Sequence, residues 1–214
     1  MKRKQNYLLP VFSAILFVVL IIILKTVDVR AVGPLKSEVG LSHLNLAALN
    51  FFGSSEAWFE VTEVLGLFAI ASGGIFAVVG LIQLIKRKSL IKVDREILSL
   101  GGLYAVLGIV YVFFDKVTVN LRPMLAPDET IAESSFPSSH TVLTVVIMGS
   151  ILMLLEKYIK NKTARQILSS VCAIICVITV VGRLLSGVHW LTDILGGILL
   201  SVFLLSVFKL FINK

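Results

Sequence analysis

The sequence has few charged residues and few cysteines for its length. Only 15% of its 214 residues are charged, whereas ordinary soluble domains contain roughly 25%. Hydrophobic residues make up 57% of the chain, and the mean hydropathy is +0.97. These values exclude an ordinary soluble domain and indicate an integral membrane protein.

The cysteines do not indicate a disulfide, and the net charge does not indicate nucleic-acid binding. Cys172 and Cys176 lie four residues apart in one apolar run, so they share a helix face and do not favour a disulfide with each other. The net charge of +7 is compatible with nucleic-acid binding, but the basic residues fall in short segments between apolar runs. That distribution is typical of membrane topology, and we expect no nucleic-acid partner.

Six apolar segments account for most of the chain. They cover residues 8–24, 64–85, 97–114, 140–155, 167–185 and 194–211. The first segment follows basic residues as a secretory signal does, but it exceeds the roughly 7–15 residues of such a signal and lacks a cleavage site, so we predict a retained helix. We therefore predict an all-α polytopic membrane protein in which residues 1–214 form one membrane-embedded domain with six transmembrane helices.

Basic residues set the predicted orientation. Of the 20 lysines and arginines, 14 lie on one side of an alternating six-helix thread. The positive-inside rule places that side, with both termini, in the cytoplasm of a cell-membrane protein. The loops 25–63, 115–139 and 183–193 then face outward. Within the first of them, residues 41–52 read as an amphipathic segment and His43 as an exposed loop histidine.

The junction between the last two apolar segments carries three costly side chains, Arg183, His189 and Asp193. Ionisable residues there indicate a functional site. If the last helix begins near Trp190, Asp193 faces His189 and fixes its tautomer, which leaves one nitrogen free to attack; a structural pair or a proton relay is the alternative. Arg183 offers paired donors to a phosphate, or else it extends to lipid headgroups.

The loop 115–139 contains further candidate phosphate ligands. Lys116 and Arg122-Pro123 come first, and Pro137-Ser138-Ser139-His140 precedes the fourth apolar segment. Ser138 or Ser139 is the predicted N-cap of that helix. A capped helix start exposes backbone N–H groups that bind anions, although capping requires no function.

Together these segments resemble the type 2 phosphatidic acid phosphatase (PAP2) family, whose signature is Lys-x6-Arg-Pro, Pro-Ser-Gly-His and Ser-Arg-x5-His-x3-Asp. Three departures stand out. Lys116 is one residue too close to Arg122, which rotates it by about 100° on a helix. Ser139 replaces a glycine, and Gly182 replaces a serine.

The resemblance implies a metal-independent lipid phosphatase without a cofactor. His189 would attack the phosphorus to form a phosphohistidine, Asp193 would orient His189, and His140 would protonate the leaving oxygen. Phosphate oxygens would be held by the remaining motif residues, namely Lys116, Arg122, Pro123, Ser138, Ser139 and Arg183. We expect the acids Asp128, Glu129 and Glu133 to form a solvated loop face and not a magnesium site.

A site at the outer interface suits a substrate with its phosphate among the headgroups and its tail in lipid. We expect undecaprenyl diphosphate as the first candidate, followed by phosphatidylglycerol phosphate or phosphatidic acid. The alternatives are a non-hydrolytic phospholipid-binding or transport protein of the same fold and a lipid phosphotransferase.

Overall fold

The computed structural model describes residues 7–33, 36–125 and 133–213, and within these residues it contains seven α-helices and one two-stranded sheet. The helices are α1 (Leu8–Thr26), α2 (Ser42–Phe52), α3 (Glu56–Arg87), α4 (Arg95–Lys116), α5 (Ser139–Tyr158), α6 (Lys162–Leu185) and α7 (Leu191–Ile212). The antiparallel strands are β1 (Arg30–Val32) and β2 (Ser37–Val39), and a short 3₁₀ turn, Leu90–Lys92, precedes α4.

Six of these helices, all except α2, are long and apolar enough to cross a membrane within the described part of the chain. Each of them contains one of the six predicted segments, so the predicted all-α polytopic membrane fold is confirmed. The amphipathic segment 41–52 forms α2. The small sheet was not predicted, because strands of three residues are too short to show an alternating pattern.

The two helices that carry motif segments at their starts lie at the centre of the bundle. In the most apolar 18-residue stretch of each helix, 56% of the residues are buried in α5 and 44% in α7. The buried share is only 17% in α1 and in α3. The outer helices expose large aliphatic side chains, as expected of surfaces that face lipid. The N-terminal ends of α5 and α7 are therefore held by packing on several sides.

Helix α3 corrects the predicted boundary between loop and membrane segment. It begins at Glu56 and runs for 32 residues, so residues 56–63, which the sequence analysis assigned to a loop, form about two additional helical turns. Ser55 precedes the helix in an extended conformation, and Glu56 lies in its first turn, where a negative charge is favourable. These turns bring Thr62 and Glu63 to the end of the bundle where α5 and α7 begin.

Of the adjacent glycines Gly73 and Gly74 in α3, only one lies at a close contact between helices. A Cβ atom added at Gly73 would lie 3.2 Å from a ring carbon of Tyr104 and 3.3 Å from Cγ2 of Ile147. An added Cβ at Gly74 would meet nothing within 4 Å. Gly73 therefore allows α3 to approach α4 and α5, while Gly74 faces open space.

Candidate active site

His189 lies in the short connection between α6 and α7, and its side chain is almost fully buried. Its Nδ1 atom is 3.1 Å from the carbonyl oxygen of Ser135. A carbonyl only accepts hydrogen bonds, so this contact assigns the imidazole proton to Nδ1. The other nitrogen, Nε2, then carries a lone pair, and Nη2 of Arg183 donates to it over 3.4 Å.

The predicted hydrogen bond between Asp193 and His189 is not formed. The Oδ2 atom of Asp193 lies 3.8 Å from Nδ1 of His189, which is within ion-pair range but too long for a hydrogen bond. This carboxylate instead accepts from the backbone N–H of Trp190 at 2.9 Å and from Nδ2 of Asn120 at 3.2 Å. Asp193 thus stabilises the start of α7, while the Ser135 carbonyl selects the tautomer of His189.

Burial keeps His189 uncharged. The loss of solvation lowers the pKa of its imidazole well below the ordinary value of 6.5, and the nearby positive charges of Arg183, Arg122 and His140 lower it further. A neutral imidazole with its lone pair on Nε2 has the electronic state that nucleophilic attack requires.

Arg183, in the last turn of α6, is fully buried and surrounded by the additional turns of α3. Its Nη1 atom donates to Oγ1 of Thr62 at 3.2 Å and to Oε1 of Glu63 at 3.0 Å, and its guanidinium lies 5.2 Å from the ring centroid of Phe59. The ion pair compensates the desolvation of the buried guanidinium. Of the two interpretations that the sequence left open, the structure excludes an arginine that extends to headgroups.

Glu63 connects Arg183 to His140, and the sequence analysis did not predict Glu63 as a site residue. Its Oε2 atom lies 3.1 Å from Nε2 of His140. Gly66, one turn further along α3, makes the contact possible, since an added Cβ would lie 2.9 Å from Cδ2 of that imidazole. The available sequence signal was an acidic residue next to an apolar run, preceded by the Ser55-Glu56 helix start.

Ser138, one of the two serines predicted as the N-cap, caps α5, and it links the second motif segment to the third. Its Oγ atom accepts from the backbone N–H of Thr141 at 3.5 Å and from the Thr141 hydroxyl at 3.0 Å. Its own N–H donates to the carbonyl oxygen of Asp193 at 3.1 Å. Ser139, the first residue of α5, is half-buried and lines the groove described below.

Arg122 and Pro123 lie in an irregular segment that is bound to both sides of the site. The backbone N–H of Arg122 donates to the Glu133 carbonyl at 3.1 Å, and its Nη2 pairs with the Glu133 carboxylate at 2.8 Å. Nε1 of Trp190 donates to the carbonyl of Leu121 at 2.9 Å. Pro123 is buried and offers the site no side-chain donor.

The structure does not bring Lys116 into the cluster, which corrects its predicted place in the site. Lys116 is the last residue of α4, its side chain is 77% exposed, and its Nζ pairs with Asp115 at 3.0 Å. Because the spacing to Arg122 is one residue shorter than in the family pattern, helix α4 turns this side chain outward. Glu133 is 55% exposed, as expected of a solvated loop face, and it pairs with Arg122, while Asp128 and Glu129 lie outside the described residues.

A groove with a volume of about 720 Å³ lies between α3, α4 and α5. Its polar lining includes Glu63, Arg122, Glu133 and His140, and the apolar lining continues along α3 as far as Ala77. At 1.5 Å per helical residue, the distance from Glu63 to Ala77 is about 21 Å, which exceeds half of a hydrocarbon core. His189 and Arg183 are not among the lining residues, so Glu63 and His140 stand between the groove and the buried nucleophile candidate.

His, Cys, Asp and Glu side chains do not gather anywhere in the described residues as a group of three or more that could hold a metal ion. The positive charge at the site is supplied by guanidinium groups. Two of them, those of Arg122 and Arg183, each pair with one glutamate.

Comparisons with known proteins agree with this arrangement. The family model of the PAP2 superfamily matches residues 96–214, a range that includes all three motif segments. Among solved structures, the chain is similar to the crystal structure of a transmembrane PAP2-type phosphatidylglycerolphosphate phosphatase from Bacillus subtilis, with 20% identity, a TM-score of 0.63 and 94% of each chain covered. At that identity the likeness shows the fold alone, and no curated protein matches the chain.

Proposed function

The chain belongs to the PAP2 superfamily and is a phosphatase, and from this premise we propose that it hydrolyses a lipid phosphate or diphosphate on the outer face of the cell membrane. The observation that carries the proposal is the chain of contacts from the groove through Glu63 and Arg183 to Nε2 of His189. It joins a binding space for a lipid to a phosphate ligand and a nucleophile.

In the proposed mechanism, Nε2 of His189 attacks the phosphorus, and the bond from phosphorus to the leaving oxygen breaks as the N–P bond forms. His140 gives its proton to the leaving oxygen, which departs as the lipid alcohol or, from a diphosphate, as the lipid monophosphate. Water then transfers a proton to His140 and attacks the phosphohistidine, which releases inorganic phosphate and restores both histidines.

The surrounding groups suit both steps. Nδ1–H of His189 donates to the Ser135 carbonyl, so the positive charge on the phosphorylated imidazole is stabilised without a proton transfer. Asp193, 3.8 Å away, adds a favourable negative charge. We propose that Arg183 binds phosphate oxygens through Nη2, that Arg122 exchanges part of its contact with Glu133 for them, and that Ser138 and Ser139 contribute the start of α5. Because guanidinium groups supply the positive charge, we expect turnover without a metal ion.

The groove supports a lipid substrate because its apolar length matches a hydrocarbon tail and its polar lining matches a headgroup phosphate. Undecaprenyl diphosphate remains our first candidate. Phosphatidylglycerol phosphate follows, and the activity named for the similar Bacillus subtilis structure favours it over phosphatidic acid.

Phosphate release in detergent micelles tests the proposal. Purified protein is given each of the three lipids in the presence of a chelator, beside His189→Ala and beside His43→Ala, a control at an exposed position of helix α2. We expect release by the wild type and by His43→Ala and none by His189→Ala, together with an acid-labile phosphoprotein that the His189 variant lacks. Lipid binding without release would favour the non-hydrolytic alternative, and transfer to an added alcohol would favour a phosphotransferase.

The proposed orientation is tested by labelling intact cells with a membrane-impermeant maleimide in a background without Cys172 and Cys176. Thr118→Cys lies in the loop after α4, and Lys160→Cys lies between α5 and α6; both positions are exposed. We expect labelling of Thr118→Cys from outside and of Lys160→Cys only after lysis. The reverse pattern would place the site in the cytoplasm.

A further inference from the structure

We propose that Glu63 is a positioning residue of this active site, whose one carboxylate holds the imidazole of His140 and the guanidinium of Arg183 in their working places. The inference rests on the proposed function, because it assumes that His140 is the proton donor and that Arg183 binds the phosphate. It adds a residue from α3, a helix that contains none of the three motif segments.

Each oxygen of the Glu63 carboxylate has its own partner. Oε1 accepts from Nη1 of Arg183 at 3.0 Å, and Oε2 lies 3.1 Å from Nε2 of His140. Both are charge-assisted contacts when the imidazole is protonated, and such contacts restrain geometry more strongly than neutral hydrogen bonds. One side chain therefore fixes the distance between the proton donor and the phosphate ligand.

The contacts around Arg183 distinguish positioning from simple occupation of the phosphate site. Thr62 and Glu63 both bind Nη1, whereas Nη2 points at Nε2 of His189, the atom that would bond to phosphorus. The carboxylate thus holds the guanidinium by Nη1, while Nη2 is the nitrogen directed at His189. The ring of Phe59 also packs on this guanidinium, so three residues from one stretch of α3 contact Arg183.

The contact with His140 also assigns a task to each imidazole nitrogen. With Nε2 held by Glu63, Nδ1 is the nitrogen left to serve the leaving oxygen, and it is buried with no hydrogen-bond partner among the described residues. The pair Glu63–His140 then mirrors the pair Ser135–His189, in which an acceptor on one nitrogen prepares the other.

The test compares Glu63→Gln with Glu60→Gln, which lies on an exposed position of the same helix. The amide can accept from only one of the two partners and lacks the charge. For Glu63→Gln we expect kcat to fall about 30-fold and KM to change less than about threefold. The loss in kcat should be smaller than the roughly 100- to 10,000-fold contribution of a positioned proton donor, because His140 itself is still present. Glu60→Gln should match the wild type. Thermal unfolding of all three proteins controls for a folding defect, and if Glu63→Gln does not fold, Glu63→Asp is expected to show the same loss in kcat.

A double-mutant cycle shows whether Glu63 acts through His140. Glu63→Gln should cost at least about tenfold less in the His140→Ala background than alone, because the group that it positions is already absent. Fully multiplicative effects, or unchanged kcat in both Glu63 variants, would overturn the proposal. So would a higher kcat/KM in Glu63→Gln, which would identify the carboxylate as a competitor of phosphate. A wild type that releases no phosphate would overturn the proposed function and this inference together.

Discussion

Asn45 and Thr192 are joined by two hydrogen bonds across the site end of the bundle. Nδ2 of Asn45 donates to Oγ1 of Thr192 at 3.0 Å, and the backbone N–H of Thr192 donates to Oδ1 of Asn45 at 3.2 Å. Both residues are fully buried. Helix α2 thereby satisfies a donor at the start of α7, next to His189 and Asp193.

Asn45→Ala should therefore destabilise the protein and reduce its activity. The variant leaves the N–H of Thr192 buried without its partner, which costs about 1–3 kcal/mol. We expect a lower melting temperature and a lower kcat, because the first turn of α7 loses a restraint. Asn50→Ala, at an exposed position of the same helix, is the control and should change neither. Equal stability of the two variants would show that α2 does not support the site.

Asp193→Asn should reduce turnover without abolishing it. The Ser135 carbonyl keeps the proton on Nδ1 of His189, so the loss should be smaller than the roughly 10,000-fold seen where a carboxylate itself sets the tautomer. We expect kcat to fall about 10- to 100-fold through the lost charge, with a stability loss of about 1–3 kcal/mol because the amide cannot accept both hydrogen bonds. Inactivation as complete as in His189→Ala would mean that the working enzyme forms the direct bond between Asp193 and His189.

Acidification should destabilise the wild type more than His189→Gln. Burial holds the pKa of His189 well below 6.5 in the folded protein, whereas the unfolded chain titrates near about 6.5. Below that value the unfolded state binds a proton that the folded state does not, so the free energy of unfolding falls, by at most ~1.4 kcal/mol per pH unit. Melting temperatures of both proteins at neutral pH and at about pH 5 test this difference. Equal decreases would show that His189 is not held neutral.

The membrane fold could be predicted from sequence because long apolar runs separated by basic segments leave few alternatives. The N-cap at Ser138 and the helix start near Trp190 were also predictable, since both depend on local chemistry. The sequence could not show that residues 56–63 continue α3. Their mixed polarity resembles a loop, and they are helical because they pack on Arg183 and His140.

The hydrogen-bond partners in the site were the least predictable feature. The spacing of His189 and Asp193 correctly places them one turn apart, but it cannot reveal that the carbonyl of Ser135, far away in sequence, takes the contact with Nδ1. A backbone carbonyl has no sequence signature. Glu63 was missed for a related reason, since its role depends on helices that meet only in the folded bundle.

Arg122→Ala and Lys116→Ala form a matched pair that tests which basic residue of the first motif segment binds phosphate. Removing Arg122, which faces the groove, should lower kcat/KM about 100-fold or more, the usual cost of losing one donor to a developing oxyanion. Within the described part of the chain, the ion pair of Lys116 is an exposed one with Asp115. Such pairs contribute at most about 1 kcal/mol. We therefore expect kcat/KM of Lys116→Ala to stay within about threefold of the wild type. A large loss in Lys116→Ala would mean that the end of α4 rearranges when substrate binds.

Gly182→Ser, which restores the residue of the family pattern, should impair this protein. A Cβ atom at position 182 would lie 2.6 Å from Cγ2 of Thr62 and 3.0 Å from a ring carbon of Trp58, so α3 would be forced away from Arg183. Such overpacking costs about 1–3 kcal/mol, and we expect a lower melting temperature and a lower kcat/KM. Adding Thr62→Ser removes the Cγ2 atom but keeps the hydroxyl that accepts from Arg183, so the double variant should recover part of both losses. If Gly182→Ser alone is as stable and active as the wild type, the close approach of α3 to α6 does not restrain Arg183, because the two helices could then separate without consequence.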